Sequence, residues 1–125
     1  MSTTRPETSS DSRSGSGAQA ASISNALVQL HRRAYGKGPT KAKTYLLDDV
    51  VFCILEGGAL RIEETLRDHG EEEMVHTVRR TFQAALNEEF RGIIEEAMGR
   101  PVRAFMSQFD PEHNIAAEIF FLEPR

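Results

Sequence analysis

The longest periodic stretch of this chain sets the terms for everything around it. From Glu71 to Met98, apolar residues recur at spacings of three and four: Met74, Val75, Val78, Phe82, Ala85, Leu86, Phe90, Ile93, Ile94, Ala97 and Met98. That is one apolar stripe on a period of 3.6, and it predicts a single continuous helix over residues 71–98. Glu71, Glu72 and Glu73 lie where the helix dipole favours carboxylates. Gly99 and Pro101 mark the stop. A stripe of this length needs a broad apolar surface to lie on, and flanking strands are its natural source.

Those strands are legible on both sides. Lys41–Leu47 and Val50–Glu56 read as a hairpin about an Asp48-Asp49 turn. In the first strand Lys41, Lys43 and Tyr45 alternate with Ala42, Thr44 and Leu46. The second, Val50-Val51-Phe52-Cys53-Ile54-Leu55, is apolar on both faces, the pattern of a strand covered from two sides. Val102–Phe109 and Ile115–Leu122 form a second hairpin around Asp110-Pro111-Glu112-His113-Asn114. A first helix is expected over Ser22–Tyr35, with Ile23, Leu27, Leu30 and Ala34 inward and Gly36 ending it. A short one is expected over Ala59–His69, with Leu60, Ile62 and Leu66 inward. Together these predict an α+β fold: two hairpins joined in one four-stranded antiparallel sheet, in the order helix-β-β-helix-helix-β-β, with helices on one face. The surplus apolar residues of the second and fourth strands need a further cover. Either the first helix crosses the opposite face or two chains meet there, so a homodimer is expected.

Residues 1–21 are rich in Ser, Thr and Gly without an aromatic residue, and are expected to be a disordered tail before a single domain over 22–125. No apolar run approaches the roughly 20 residues of a membrane span, and there is no signal-peptide pattern. One cysteine, Cys53, rules out an internal disulfide framework. The expected location is cytoplasmic, peripheral at the inner face of the cell membrane.

The net charge of −4 is unevenly spread. Residues 21–47 hold Arg32, Arg33, Lys37, Lys41 and Lys43 and no acid, whereas residues 48–125 sum to −9. A basic segment on an acidic body suits an anion, a membrane surface or the acidic face of a second copy, not nucleic acid. Arg32, Arg33, Lys37, Gly38, Lys41 and Lys43 around the Gly36–Thr40 loop are therefore the candidate anion- or partner-binding site. The loop lacks the Walker A spacing, and a helix C-cap with basic residues at the negative helix end accounts for the same residues. His69, Glu72, Glu73 and His76 suggest a metal site, although a solvated helix start explains them as well. Cys53, amid Phe52 and Ile54, reads as a small core residue. Arg79 and Arg80 read as a solvated face. No nucleophile, base and orienting partner can be assembled, so no enzyme activity, metal or cofactor is expected.

Four segments together resemble the MpsC family: YGKGPTKAKTYLLDDVVFCILEGGAL (Tyr35–Leu60), IEETL (Ile62–Leu66), VRRTFQAALNEEF (Val78–Phe90) and GRPVRAFMSQFD (Gly99–Asp110). The resemblance covers about Ser24 to Leu122, and its most specific element is the Gly-Lys-Gly-Pro loop feeding a hairpin. Relatives commonly carry glycine and aspartate at the first hairpin turn, where this chain has Asp48-Asp49. The family is named for a sodium-translocating, membrane-potential-generating system. That implies a non-catalytic accessory or regulatory domain acting on integral membrane transport subunits, since a chain without a span cannot itself conduct ions. The alternative from the residues is an anion- or nucleotide-binding sensor using the Gly36–Lys43 loop.

Overall fold

In the computed structural model, which describes residues 14–125, the two hairpins meet edge to edge. Strands β1 (Lys41–Leu47), β2 (Val50–Glu56), β3 (Val102–Asp110) and β4 (Ile115–Leu122) form one antiparallel sheet in the order β1-β2-β4-β3. The first turn connects Leu47 and Val50 through Asp48, which takes a left-handed φ of 49°, while Asn114 (φ 57°) closes the second. Short polar residues tolerate that region best after glycine. The α+β class and the four-stranded antiparallel sheet expected from the sequence are those observed.

Helix α1 (Ser14–Tyr35) begins eight residues before the expected Ser22. Residues 14–21 of the expected tail are thus its first two turns, with Ala20 fully buried and Gln19 Nε2 donating to the Ala97 carbonyl at 3.2 Å. Residues 1–13 of that tail lie outside the described residues. Gly36, at φ 81°, ends the helix by donating its N–H to the Arg32 carbonyl.

The expected single helix over 71–98 is two: α3 (Glu72–Ala85) and α4 (Asn87–Met98), bent at Leu86. A straight rod of that length would reach about 42 Å, beyond the roughly 30 Å of the longest strand, so a bend keeps both halves on the sheet. Backbone bonding continues around it, from Leu86 N–H to Phe82 and from Phe90 N–H to Leu86. Only part of the expected stripe is inward. Phe90, Ile94 and Val75 are buried, but Met74 is 47% and Phe82 38% exposed. In α2 (Arg61–Asp68), Leu66 packs against the core as expected, but Ile62 points outward and Glu63 is the buried residue in its place.

Helices α1 and α4 pack on the same face of the sheet, where Ile23, Leu27 and Leu30 meet Val51, Phe90, Ile94 and Phe120. A second cluster, including Val28, Leu55, Val75 and Phe109, lies toward α2 and α3. Between α1 and the sheet runs a short polar line: the Ser24 and Thr44 hydroxyls share a hydrogen bond at 2.7 Å, and Thr44 donates to the Cys53 sulfur at 3.4 Å. The first helix therefore does not cross the opposite face. That face is left open among the described residues, and its residues fall in register across all four strands.

Candidate functional site

A small polar cavity opens where α1, α3 and α4 meet strands β3 and β4, with a volume of about 80 Å³, enough for a few waters. At its floor is Glu118. On β4 it alternates with Ala116, Phe120 and Leu122 on the helix-covered face, and it is only 3% exposed. Its Oε1 has no hydrogen-bond partner. Burial pushes the carboxyl up to about 7, with the neighbouring Ser107 hydroxyl and the Arg79 charge working against that rise. Near neutral pH the carboxyl thus stands close to half protonated.

The walls of the cavity explain its chemistry. His31 donates Nδ1–H to the Leu27 carbonyl at 2.8 Å, which fixes the tautomer, and burial lowers its pKa so that it stays neutral. Its ring lies against Tyr35 and edge-on to Phe90. Burial raises the Tyr35 pKa, keeping the phenol protonated. His31 and Tyr35 thus present neutral groups to the cavity.

Arg79 closes one side. Its Nε and Nη2 bind the two oxygens of Glu63 at 2.6 and 2.7 Å, and Nη2 also reaches the Gly58 carbonyl. The guanidinium stacks over Tyr35 at 4.7 Å and Phe109 at 4.0 Å. It is the largely covered partner of buried Glu63 in a bidentate ion pair, not the solvated residue expected from the sequence. Glu63 is further tied by the Leu60 backbone N–H, which donates to its Oε1 and so caps α2. A second buried arginine, Arg100, donates to the Asp49 carboxylate and the Glu123 carbonyl, binding the first hairpin turn to the chain after β4.

The residues nominated from the sequence are spread out. Arg32 lines a shallow surface depression with Gly38, on the α1 side of the sheet edge. Lys41 and Lys43 share a different depression with Tyr45 and Glu56, on the open face. Arg33 is exposed, and Lys37 Nζ donates to the Ala59 carbonyl at 3.0 Å. Gly38 lies against α1, where a Cβ would stand 3.1 Å from the Val28 carbonyl. The six residues therefore do not line one pocket.

His69, Glu72, Glu73 and His76 do not converge. Among the described residues, the group whose ligand atoms do is Asp110, Glu112 and His113, all exposed in the second hairpin turn. There Asp110 accepts from the Glu112 N–H and pairs with His113 at 2.9 Å, which is turn chemistry. Cys53 is buried, and desolvation raises its thiol to about 12, the state of an inert core cysteine. Sequence reasoning passed over Glu118, although an acid on the same strand face as Ala116, Phe120 and Leu122 was its signal. Nothing local announced the pairing of Glu63 with Arg79.

The architecture defines a small two-layer α+β domain: four helices on one side, a bare sheet on the other, and a small polar cavity at Glu118 in the covered layer. The family model described as "Na+-translocating membrane potential-generating system (MpsC)" matches residues 16–124. The chain belongs to the MpsC family. No curated protein and no solved structure matches it.

Proposed function

We propose that this chain is a non-catalytic accessory or regulatory subunit of a sodium-translocating membrane system, acting as a homodimer from the cytoplasmic side through contact with integral membrane transport subunits. The observation that carries the reading is the family match over residues 16–124 on a domain in which no described helix is long and apolar enough to cross a membrane. Such a domain can influence transport only through a partner, unless it forms a barrel, and its four-stranded sheet is open. The cavity at Glu118 supports a non-catalytic role, because about 80 Å³ admits a few waters and not a metabolite. The anion-sensor alternative has less support, since Arg32 and the pair Lys41 and Lys43 occupy separate depressions.

The test is affinity capture of the tagged full chain from detergent-solubilised membranes, with the retained proteins identified by mass spectrometry. A transport subunit should be recovered, and deletion of the gene should lower the sodium-dependent membrane potential. Recovery of no membrane protein, with an unchanged potential in the deletion strain, would overturn the reading.

A further inference from the structure

We propose that the open sheet face is closed by a second copy of this chain, related by a two-fold axis that runs along the strands between β2 and β4. The inference rests on the homodimer part of the reading above and is independent of the membrane partner.

The register lays the open face out as four rows, each crossing β1, β2, β4 and β3 in turn. The first row is Leu47, Val50, Phe121 and Ala104. The second is Tyr45, Phe52, Ile119 and Met106. The third is Lys43, Ile54, Ala117 and Gln108, and the fourth is Lys41, Glu56, Ile115 and Asp110. Two entire rows are apolar, and Ile54, Ala117 and Ile115 extend that surface into the others. At the rim Leu47 and Met106 are 59% and 57% exposed. Monomeric proteins rarely leave a contiguous apolar surface of this extent uncovered.

The area is that of a small interface. Four strands about 4.8 Å apart, each with seven residues rising about 3.3 Å, span roughly 19 by 23 Å. That plane is about 440 Å² per copy, or about 880 Å² for a pair before the relief of the side chains is added, which brings it to the roughly 1,000 Å² floor of specific interfaces.

The charges choose the partner and its orientation. Among the paired positions of this face the charged residues lie in the last two rows, with Lys41 and Lys43 on the β1 edge, Glu56 on β2 and Asp110 on the β3 edge; Arg103 stands in the bulge beside Ala104, outside the pairing. A two-fold axis along the strands exchanges the edges and keeps the rows. It sets Lys41 of one copy across from Asp110 of the other, Lys43 across from Gln108, and the second apolar row on itself; Glu56 comes to lie across from Ile115, with Lys41 beside it in its own sheet. An in-plane axis perpendicular to the strands would instead place Lys41 on Leu47 and Glu56 on Val50, burying charge on apolar surface without a partner. The favoured axis also leaves the two strand sets aligned, the common arrangement of stacked sheets. Self-complementarity of this kind is what an isologous interface requires.

The test is sedimentation velocity of the full chain over a dilution series. The wild type should run at twice the chain mass, and a monomer throughout would overturn both this inference and the homodimer reading. Met106→Glu, at a position already exposed, should weaken association by about tenfold or more while the cooperative melt is retained. A dimer unaffected by it would overturn the assignment of the face but leave the homodimer standing. Gln108→Lys places like charges opposite each other twice and should weaken the dimer by roughly tenfold at low salt. Adding Lys43→Glu to Gln108→Lys should restore association. Failure of that rescue would overturn the axis.

Discussion

Glu118→Gln tests whether the buried carboxyl is what the structure makes it. Raising a carboxyl from 4.5 to about 7 costs the fold about 3 kcal/mol once the group must ionise, at roughly 1.4 kcal/mol per tenfold. Below pH 4.5 the folded and unfolded chains both hold the proton, and nothing is lost. Between 4.5 and about 7 the unfolded chain has released it while the folded chain keeps it, so stability falls as pH rises through that window. Above about 7 the full cost remains. The amide has no proton to lose, so the substitution should flatten this part of the profile.

The assay is urea denaturation of both proteins from pH 4.5 to 8.5. The variant should gain on the wild type as pH rises, by up to about 3 kcal/mol at the alkaline end. His31 acts in the opposite sense: its pKa is lowered by burial, so stability drops as pH falls below 6.5, where the unfolded chain takes up the proton first. It is present in both proteins and cancels in the difference, whereas the attraction of Arg79 for the Glu118 carboxylate is lost in the variant and is already contained in the value of about 7. Parallel profiles for the two proteins would refute the reasoning, since they would mean that Glu118 titrates alike in the folded and unfolded chains.

Removing the guanidinium by Arg79→Met should cost about 3–5 kcal/mol in chemical denaturation, because Glu63 is left buried and unpaired; adding Glu63→Gln should recover part of the loss. Phe82→Asp, which a fully buried stripe would make ruinous, should leave the protein folded and cost about 1 kcal/mol, the value of a stack on Tyr35, as read from the melting curve. Phe90→Ala, by contrast, should cost about 3–5 kcal/mol in the same measurement. Gly57→Ala should be far worse than Gly70→Ala: both glycines have φ near 80°, but a Cβ at Gly57 collides with the Thr40 side chain, whereas at Gly70 it meets nothing. Thr40→Ala should relieve part of the Gly57→Ala defect, and thermal melts of the four proteins would show it.

The strands were legible because their signals are local. Alternation and turn residues place β1, β2 and β4 at their observed ends and β3 within one residue. The bend at Leu86 was not, because a bend that keeps the flanking hydrogen bonds leaves a period of 3.6 running through it. The early start of α1 was hidden by composition: Ser and Gly around residues 14–17 read as disorder, yet Ala18, Ala20 and Ala21 favour a helix and Gln19 anchors it on α4. Glu63 and Arg79 stand sixteen residues apart on different helices, and only their meeting in space turns two surface-type residues into a buried pair.

The choice of covered face was open in the sequence for a deeper reason. Apolar content cannot decide it, since Val50, Phe52 and Ile54 on one face of β2 are as hydrophobic as Val51, Cys53 and Leu55 on the other. Polar groups decide. If α1 lay on the opposite face, Ser24 would face Tyr45 and Phe52 and lose its partner, and Thr44 would keep only its weak bond to the Cys53 sulfur; a buried hydroxyl left unpaired costs about 1–3 kcal/mol. Arg79 stacks on Phe109, which shares the covered face with Thr44 and Glu118, and so holds α3 on that side as well. A few hydrogen bonds thus commit all the helices to one layer, and the apolar rows they leave behind are the surface proposed for a second copy.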